Sequence, residues 1–191
     1  MSFWRWPKAR QSKPDLLFGC NQCGDCCREM QVPLNHQDIL RIYRQDPERP
    51  LLDWLQFCPV ESDHPEALWL AGIPGLLILR QRLGACVFLG DQQQCQLYQV
   101  RPRVCRIWPL EHIPGERALR VAPQHEMLVR LACDRTPVSS ETVVELQAEM
   151  DAIARDYRAY ALLVARWNLQ AREASVGHDL ADFVRFLSER A

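Results

Sequence analysis

Four cysteines lie within eight residues near the start of the chain, in the segment Cys20-Asn21-Gln22-Cys23-Gly24-Asp25-Cys26-Cys27. The C-x-x-C spacing lets one turn bring two sulfur atoms onto a single metal ion, and Gly24 permits the positive φ angle that such turns use. A third thiol three residues further on is the spacing by which iron–sulfur proteins hold several corners of one cluster. Because neighbouring side chains diverge, we expect Cys26 and Cys27 to face different metals, or one of them to do separate work.

Disulfides and buried free thiols are the alternatives for this segment. Disulfides form in oxidising compartments, but residues 1–8 contain neither the apolar core nor the cleavage site of a secretory signal. No apolar run reaches the roughly 18 residues of a membrane span. We therefore expect a cytoplasmic protein with reduced thiols. Four thiols in a polar, glycine-containing segment are not core packing, so the pattern favours metal or cluster binding.

Four further cysteines are spaced too widely for one local metal-binding turn, so folding must bring them together. They are Cys86, Cys95, Cys105 and Cys133. Eight thiols in two sets suffice for two four-coordinate sites, for one cluster plus a second metal, or for one site with spare thiols for redox work. The ninth thiol, Cys58, belongs to no spaced motif and is interpreted as an ordinary cysteine.

Three arginines, Arg101, Arg103 and Arg106, crowd around Cys105, whereas both lysines lie within the first fifteen residues. Four thiolates on a zinc ion or a cluster leave net negative charge. Arg101 and Arg106 are therefore predicted to lie just outside the sulfurs and to tune the site; the alternative is that they are solvated surface residues. His112 and His125 flank this region and could complete a site.

Between the cysteines the sequence predicts short helices and strands. Asn35 is a predicted N-cap, followed by apolar residues at helical spacing as far as Tyr43. Residues 51–57 are predicted to form a second short helix. Residues 67–71 and 76–79 are predicted to be short strands joined by a Gly/Pro turn. Residues 86–89 and 95–98 are predicted to form another strand pair.

From Ser139 onward the pattern predicts one long helix with Ser139 or Ser140 as its cap. Apolar residues recur there at spacings of three and four: Val143, Leu146, Met150, Ile153, Tyr157, Tyr160, Val164 and Trp167. This stripe predicts a helix packed on its own domain, and the alternative is a homodimer seam through residues 143–167. A final short helix is predicted around Phe183 and Leu187.

These elements predict an α+β fold, in which a small domain organised by cysteines and metal is followed by a long C-terminal helix and a short final helix. The predicted boundaries are a basic tail at 1–15, a cysteine-cluster domain at 16–138 and a helical segment at 139–191. The chain has 191 residues, 48% of them hydrophobic, and a formal net charge of −1. This composition suits a soluble domain with a real core, and nucleic-acid binding is not expected.

The spacing of these motifs resembles the YkgJ-like cysteine-cluster (CxxCxxCC) family. The resemblance lies in Cys20-x2-Cys23-x2-Cys26-Cys27, in Cys86-Val-Phe-Leu, and in Cys95-x-Leu97-Tyr98-x2-Arg101-Pro102-x2-Cys105-Arg106-x-Trp108-Pro109. It implies zinc or iron chelation over residues 18–135, with Cys133 at the place of a late family cysteine. The usual Cys-Pro-Gly context of that cysteine reads Cys133-Asp134-Arg135 here. The family also includes flagellin lysine N-methylases, but no separate methyl-donor motif is present in this chain.

The sequence therefore predicts a metal-binding protein that holds an iron–sulfur cluster, such as [4Fe–4S], or Zn²⁺. Its predicted work is electron transfer, or helping a partner protein to mature or be modified. The alternatives are a cluster-dependent, methylase-like modifying enzyme and a structural zinc domain that presents its long helix to a partner. Thiolate sites accept both zinc and iron, so the sequence alone does not distinguish the two metals.

Overall fold

A computed structural model describes residues 16–64, 66–113, 118–173 and 179–190. The helices are α1 (Cys26–Glu29), α2 (His36–Tyr43), α3 (Arg103–Ile107), α4 (Glu126–Ala132), α5 (Ser140–Glu173) and α6 (Leu180–Ser188). The strands are β1 (Leu17–Gly19), β2 (Leu55–Pro59), β3 (Leu68–Leu70), β4 (Ile73–Leu79), β5 (Gln81–Arg82), β6 (Ala85–Cys86), β7 (Leu110–His112), β8 (Leu119–Val121) and β9 (Asp134–Pro137). The predicted α+β class, with a long C-terminal helix and a short final one, is confirmed. The predicted basic tail at 1–15 lies outside the described residues.

The largest sheet among the described residues has three antiparallel strands in the order β2–β4–β3. A two-residue turn at 71–72, with both φ angles positive, joins β3 to β4, as tight hairpins require. Residues 32–34 lie along the same central strand. Their backbone makes hydrogen bonds of 2.9 Å with Leu77 and Leu79. The chain that leaves the first cysteine segment is thereby fixed to β4.

The helix predicted at residues 51–57 is wrong. Leu51–Asp53 is a single 3₁₀ turn, and Leu55–Pro59 is a strand that pairs residue by residue with β4, from Leu55 opposite Leu79 to Pro59 opposite Gly75. The pairing partner lies about twenty residues away, so local spacing did not reveal it. The strand pair predicted at 86–98 is mostly turns, with one bridge between Leu89 and Cys95.

Two capping predictions are confirmed. The side chain of Asn35 accepts hydrogen bonds from the backbone N–H groups of Gln37 and Asp38 at the start of α2. The hydroxyl of Ser139 accepts one of 3.1 Å from the N–H of Thr142 at the start of α5. Each cap satisfies N–H groups that have no partner inside the helix.

The apolar stripe of α5 packs against two cores of its own chain. Tyr160, Val164 and Trp167 belong to the main core, which fills the space between the three-stranded sheet and helices α2 and α6. Met150 belongs to a smaller core with Leu110 and Leu119, between α5 and the β7–β8 hairpin. The stripe is thus covered within one chain, as the packed-helix interpretation expects. In the described part of the chain, no helix is both long and apolar enough to span a bilayer.

Candidate metal centre

The pairing of β1 with β9 brings two distant cysteines to the same end of one ladder. Gly19, the last residue of β1, is the antiparallel partner of Asp134, the first residue of β9. Cys20 directly follows Gly19, and Cys133 directly precedes Asp134. The side-chain amide of Asn21 reinforces the junction by donating a hydrogen bond of 2.7 Å to the carbonyl of Ala132.

Cys23 joins this pair through the turn that follows Cys20. Its N–H donates to the side-chain oxygen of Asn21 at 3.3 Å. Burial raises the pKa of the Cys23 thiol, and the neighbouring charges of Asp25 and Cys26 contribute to the increase. Burial likewise raises the pKa of Cys133 to about 11, assisted by the charges of Cys23 and Cys20. We call Cys20, Cys23 and Cys133 the outer thiols.

A tight loop places Cys86 beside Cys95. Cys86 ends β6, and the backbone bridge between Leu89 and Cys95 closes the loop. Helix α1, which begins at Cys26, packs against β6. The contact is close at Gly24, because a methyl group there would lie 2.8 Å from both the carbonyl oxygen of Gln93 and Cδ1 of Leu89. The first cysteine segment therefore rests on this loop.

Cys105 completes the group from the middle of α3. Burial raises the pKa of its thiol strongly, and the charges of Cys26, Cys86 and Cys95 raise it further. Burial also raises the pKa values of Cys86 and Cys95, in both cases with a contribution from Cys26. We call Cys26, Cys86, Cys95 and Cys105 the inner thiols. They come from three separate segments of the chain and lie within electrostatic reach of one another. They also lie within reach of the outer thiols, since Cys26 contributes to the raised pKa of Cys133 and Cys20 to that of Cys95.

Interaction with the side chain of the adjacent Cys27 is the largest cause of a strong rise in the pKa of Cys26, and burial adds to it. Cys27 is half-buried and packs against the main core. The expectation that the two sulfurs serve different metals stays a prediction.

The donor set fits a thiophilic metal. Several buried thiolates cannot all ionise together, because each one carries a desolvation cost and repels the others. A metal cation among them removes both penalties and displaces the thiol protons. In the described part of the chain, no three cysteine, histidine or carboxylate side chains already converge closely enough to hold a metal ion. Metal binding therefore requires the thiol side chains to turn toward a common centre.

The profile of one protein family, described as "Putative zinc- or iron-chelating domain", matches residues 19–134, more than half of the chain. The chain belongs to this CxxCxxCC family. The match contains every cysteine and ends before α5, and the family description supports metal binding through cysteines. No curated protein and no solved structure matches the chain.

Within the CxxCxxCC match, Arg101 supplies positive charge to the inner thiols. Its charge favours the thiolate forms of Cys26 and Cys95, but the interaction with Cys27 at Cys26 and burial at Cys95 keep both pKa values raised. The guanidinium carbon lies 4.0 Å from the centre of the Tyr98 ring. Its Nε atom is buried and has no hydrogen-bond partner among the described residues. The predicted role of Arg101 just outside the sulfurs stays a prediction.

Arg106 points toward the long helix. Its Nη1 lies 3.3 Å from Oε1 of Glu149 in α5, and its Nε donates to the carbonyl of Arg101 at 3.3 Å. Arg103 makes two further ion pairs with α5, of 2.6 Å to Glu149 and 2.9 Å to Asp156. The two arginines clamp the helix that carries Cys105 onto α5. A direct role of Arg106 at the sulfurs stays a prediction.

A buried carboxylate that sequence reasoning missed supports this part of the CxxCxxCC domain. Asp38 is fully buried, and its Oδ1 accepts hydrogen bonds from the Arg41 guanidinium and from the N–H of Arg103 at 3.2 Å. Arg41 in turn donates to the carbonyls of Val100 and Arg101. The i, i+3 spacing of Asp38 and Arg41 was the only sequence signal, and it does not show that the pair faces inward.

Cys58 and the two candidate histidines, His112 and His125, lie elsewhere in the fold. Cys58 lies on β2 opposite Leu76 of the main sheet, as its position outside the motifs suggested. His112 is exposed at the end of β7, and His125 packs against Trp108 with ring centres 5.2 Å apart. Their predicted role in completing a metal site stays untested.

Proposed function

We propose that this protein holds zinc or an iron–sulfur cluster through its clustered cysteines. The proposed ligands are the eight motif thiols Cys20, Cys23, Cys26, Cys27, Cys86, Cys95, Cys105 and Cys133. One observation carries the proposal: the fold brings thiols from distant segments together, because the β1–β9 pairing sets Cys20 beside Cys133, and α1, which begins at Cys26, packs against the strand that ends at Cys86. Such an arrangement is unfavourable in a metal-free chain and favourable around a cation.

The proposed role is in the cytoplasm, in electron transfer or in the maturation or modification of a protein partner. A reducing compartment keeps clustered thiols available for metal. Arg101 supports a tuning role, because a fixed cation next to a thiolate-bound centre stabilises its more negative state. Arg106 is proposed to assist by holding the carbonyl of Arg101 in place.

Anaerobic purification of the full chain tests the proposal. The absorption spectrum should be recorded together with the zinc, iron and acid-labile sulfide content per chain. Iron with sulfide and visible absorption supports a cluster, and stoichiometric zinc in a colourless protein supports a zinc centre. A correctly folded chain that binds neither metal refutes the proposal.

Two matched variants sharpen this test. Cys105→Ser removes an inner thiol, and we expect most of the bound metal to be lost. Cys58→Ala removes a thiol from β2, outside both sets, and should keep the full metal content. Equal metal loss in the two variants would mean that the change reflects general destabilisation rather than a ligand.

A further inference from the structure

The long helix α5 has a second face, opposite to the stripe that packs against the two cores. Three large apolar side chains lie exposed on it: Val144 is 64% exposed, Leu162 75% and Leu169 62%. Their separations of 18 and 7 residues (144 to 162, and 162 to 169) are close to whole numbers of helical turns, so the three lie along one line of the helix. Exposed apolar residues that stand singly are ordinary, whereas a line of them marks a surface that a partner can cover. We call the exposed residues of α5 between 141 and 170 the exposed face.

The charged residues of the exposed face are divided by sign along the helix. Among residues 140–171, every exposed acidic side chain precedes every exposed basic one: Glu141, Glu145 and Asp151 are followed by Arg155, Arg158 and Arg166. The helix dipole favours this order only within the first and last turns. Asp151, Arg155 and Arg158 lie well inside the helix, so the dipole does not account for the division at its middle.

The described chain does not use these charges itself. The ion pairs between α5 and α3 are made by Glu149 and Asp156, on the side that faces Arg103 and Arg106. The six charged side chains of the exposed face have no ion-pair partner within the described ranges. A surface with an apolar line and a charge that changes sign along its length is therefore left for a partner.

The exposed face is complementary to a second copy of itself turned end for end. Antiparallel packing can set Asp151 opposite Arg158 of the second copy. In that register Val144 comes within one helical turn, about 4.5 Å along the axis, of Leu162 of the second copy. Each contact occurs twice across the two-fold axis. Parallel packing in register would instead set like charges side by side, which disfavours association.

We propose that the protein forms a two-fold symmetric dimer through the exposed face of α5, with the two long helices antiparallel. The stripe that runs from Val143 to Trp167 is buried in its own chain and is not the seam. A helix of 34 residues is about 51 Å long and about 10 Å wide, so each copy contributes a strip of about 500 Å². A total near 1,000 Å² is at the lower limit of a specific interface, so the dimer should dissociate on dilution. The proposal goes beyond metal binding and does not depend on it, because α5 follows the family match at 19–134.

Sedimentation equilibrium of the anaerobically purified full chain, over a series of concentrations, tests the proposal. We expect a mass that rises with concentration toward twice the 22.2 kDa of one chain. Leu162→Glu places a charge in the apolar contact and should give a monomer, and the exposure of Leu162 means that folding should be preserved. Leu52→Glu is the matched control, since Leu52 is 62% exposed on the 3₁₀ turn outside α5, and it should leave the dimer intact. A wild-type chain that stays monomeric, or equal loss of association in the two variants, overturns the proposal and leaves the proposed metal binding standing.

Charge exchange tests the antiparallel arrangement. Asp151→Arg and Arg158→Asp, made singly, each set like charges opposite one another at two symmetry-related positions and should weaken dimerisation about tenfold. The double variant restores opposite charges across the axis and should recover most of the affinity. The two residues are about 10.5 Å apart along one helix, so the recovery cannot come from a pair within one chain. A double variant that associates no better than the single ones overturns the antiparallel arrangement.

Discussion

Replacing Gly24 with alanine places a methyl group at the contact between the first cysteine segment and the loop that carries Cys86 and Cys95. Gly24 has a φ angle of +80°, and the added Cβ would lie 2.8 Å from the carbonyl oxygen of Gln93 and from Cδ1 of Leu89. The carbonyl cannot move independently, since it belongs to the backbone of the loop. The substitution should therefore push the segment that carries Cys26 away from the other inner thiols.

The expected loss of stability has two parts. A left-handed conformation costs an alanine about 1–2 kcal/mol, partly offset by about 0.4–1 kcal/mol from the stiffer unfolded chain. Overpacking at a rigid contact adds about 1–3 kcal/mol. Gly24→Ala should thus lower the free energy of unfolding by about 2–4 kcal/mol.

Gly84→Ala is the matched control. Gly84 has a similar φ angle of +76°, but no atom lies within 4 Å of the position that an added Cβ would occupy. The free energy of unfolding of this variant should therefore fall only by the conformational cost, about 1 kcal/mol. The difference of about 2 kcal/mol corresponds to a melting temperature about 4–8 °C lower for Gly24→Ala than for the control.

Urea denaturation followed by circular dichroism measures this difference, with bound metal determined on the same samples. Gly24→Ala should unfold at lower urea concentration and lose metal from the inner thiols, whereas Gly84→Ala should keep its metal. If the two variants unfold at the same urea concentration and hold equal metal, the contact at Gly24 does not position the inner thiols.

Four further outcomes are expected. Chelation of all metal should lower the melting temperature sharply, because metal ligation can supply on the order of 10 kcal/mol of folding energy; an unchanged melting curve would contradict this. Cys58→Ala should keep full metal content by elemental analysis, and a loss matching that of an outer-thiol variant would show it to be a ligand. Arg101→Gln should weaken zinc affinity roughly fivefold, about 1 kcal/mol, in a competition titration, and Arg106→Gln should weaken it less, since Glu149 already offsets that charge. A larger loss of zinc affinity in Arg106→Gln than in Arg101→Gln would place Arg106 nearer the thiols. Asn168→Ala removes hydrogen bonds to the Trp69 N–H and the Ala67 carbonyl. It should lower the free energy of unfolding, measured by urea denaturation, by about 2 kcal/mol. The control Gln170→Ala, at an exposed position on the same helix, should leave this free energy nearly unchanged.

The sequence predicted those features whose causes are local. The caps at Asn35 and Ser139 were predictable because a polar side chain next to an apolar helical pattern satisfies the first free N–H groups. The final helix was predictable from its apolar residues around Phe183 and Leu187, and the structure adds a capping box between Asp179 and Asp182. The spacing of the first four cysteines predicted a metal-binding segment, and the family match supports metal binding through cysteines. The assignment of all eight motif thiols as ligands stays a prediction.

Features that depend on distant pairing were not predictable. The helix predicted over β2 is wrong because the conformation of that segment is set by its pairing with β4. The position of Cys133 beside Cys20 depends on the β1–β9 register, which no local pattern encodes. Asp38 looked like an ordinary residue of a helical first turn, and only the tertiary fold shows that it is fully buried against Arg41.

The β1–β9 ladder also sets an order of events during synthesis. A chain folds from its N-terminus as it emerges, and contacts between distant residues form late. All four inner thiols have been made once Cys105 has emerged. The outer set is complete only after Cys133 and β9 have been made, because β9 pairs with β1. A nascent chain therefore contains all its inner thiols while the outer ones are still apart, and β9 can bring Cys133 to Cys20 before α5 and α6 have been made.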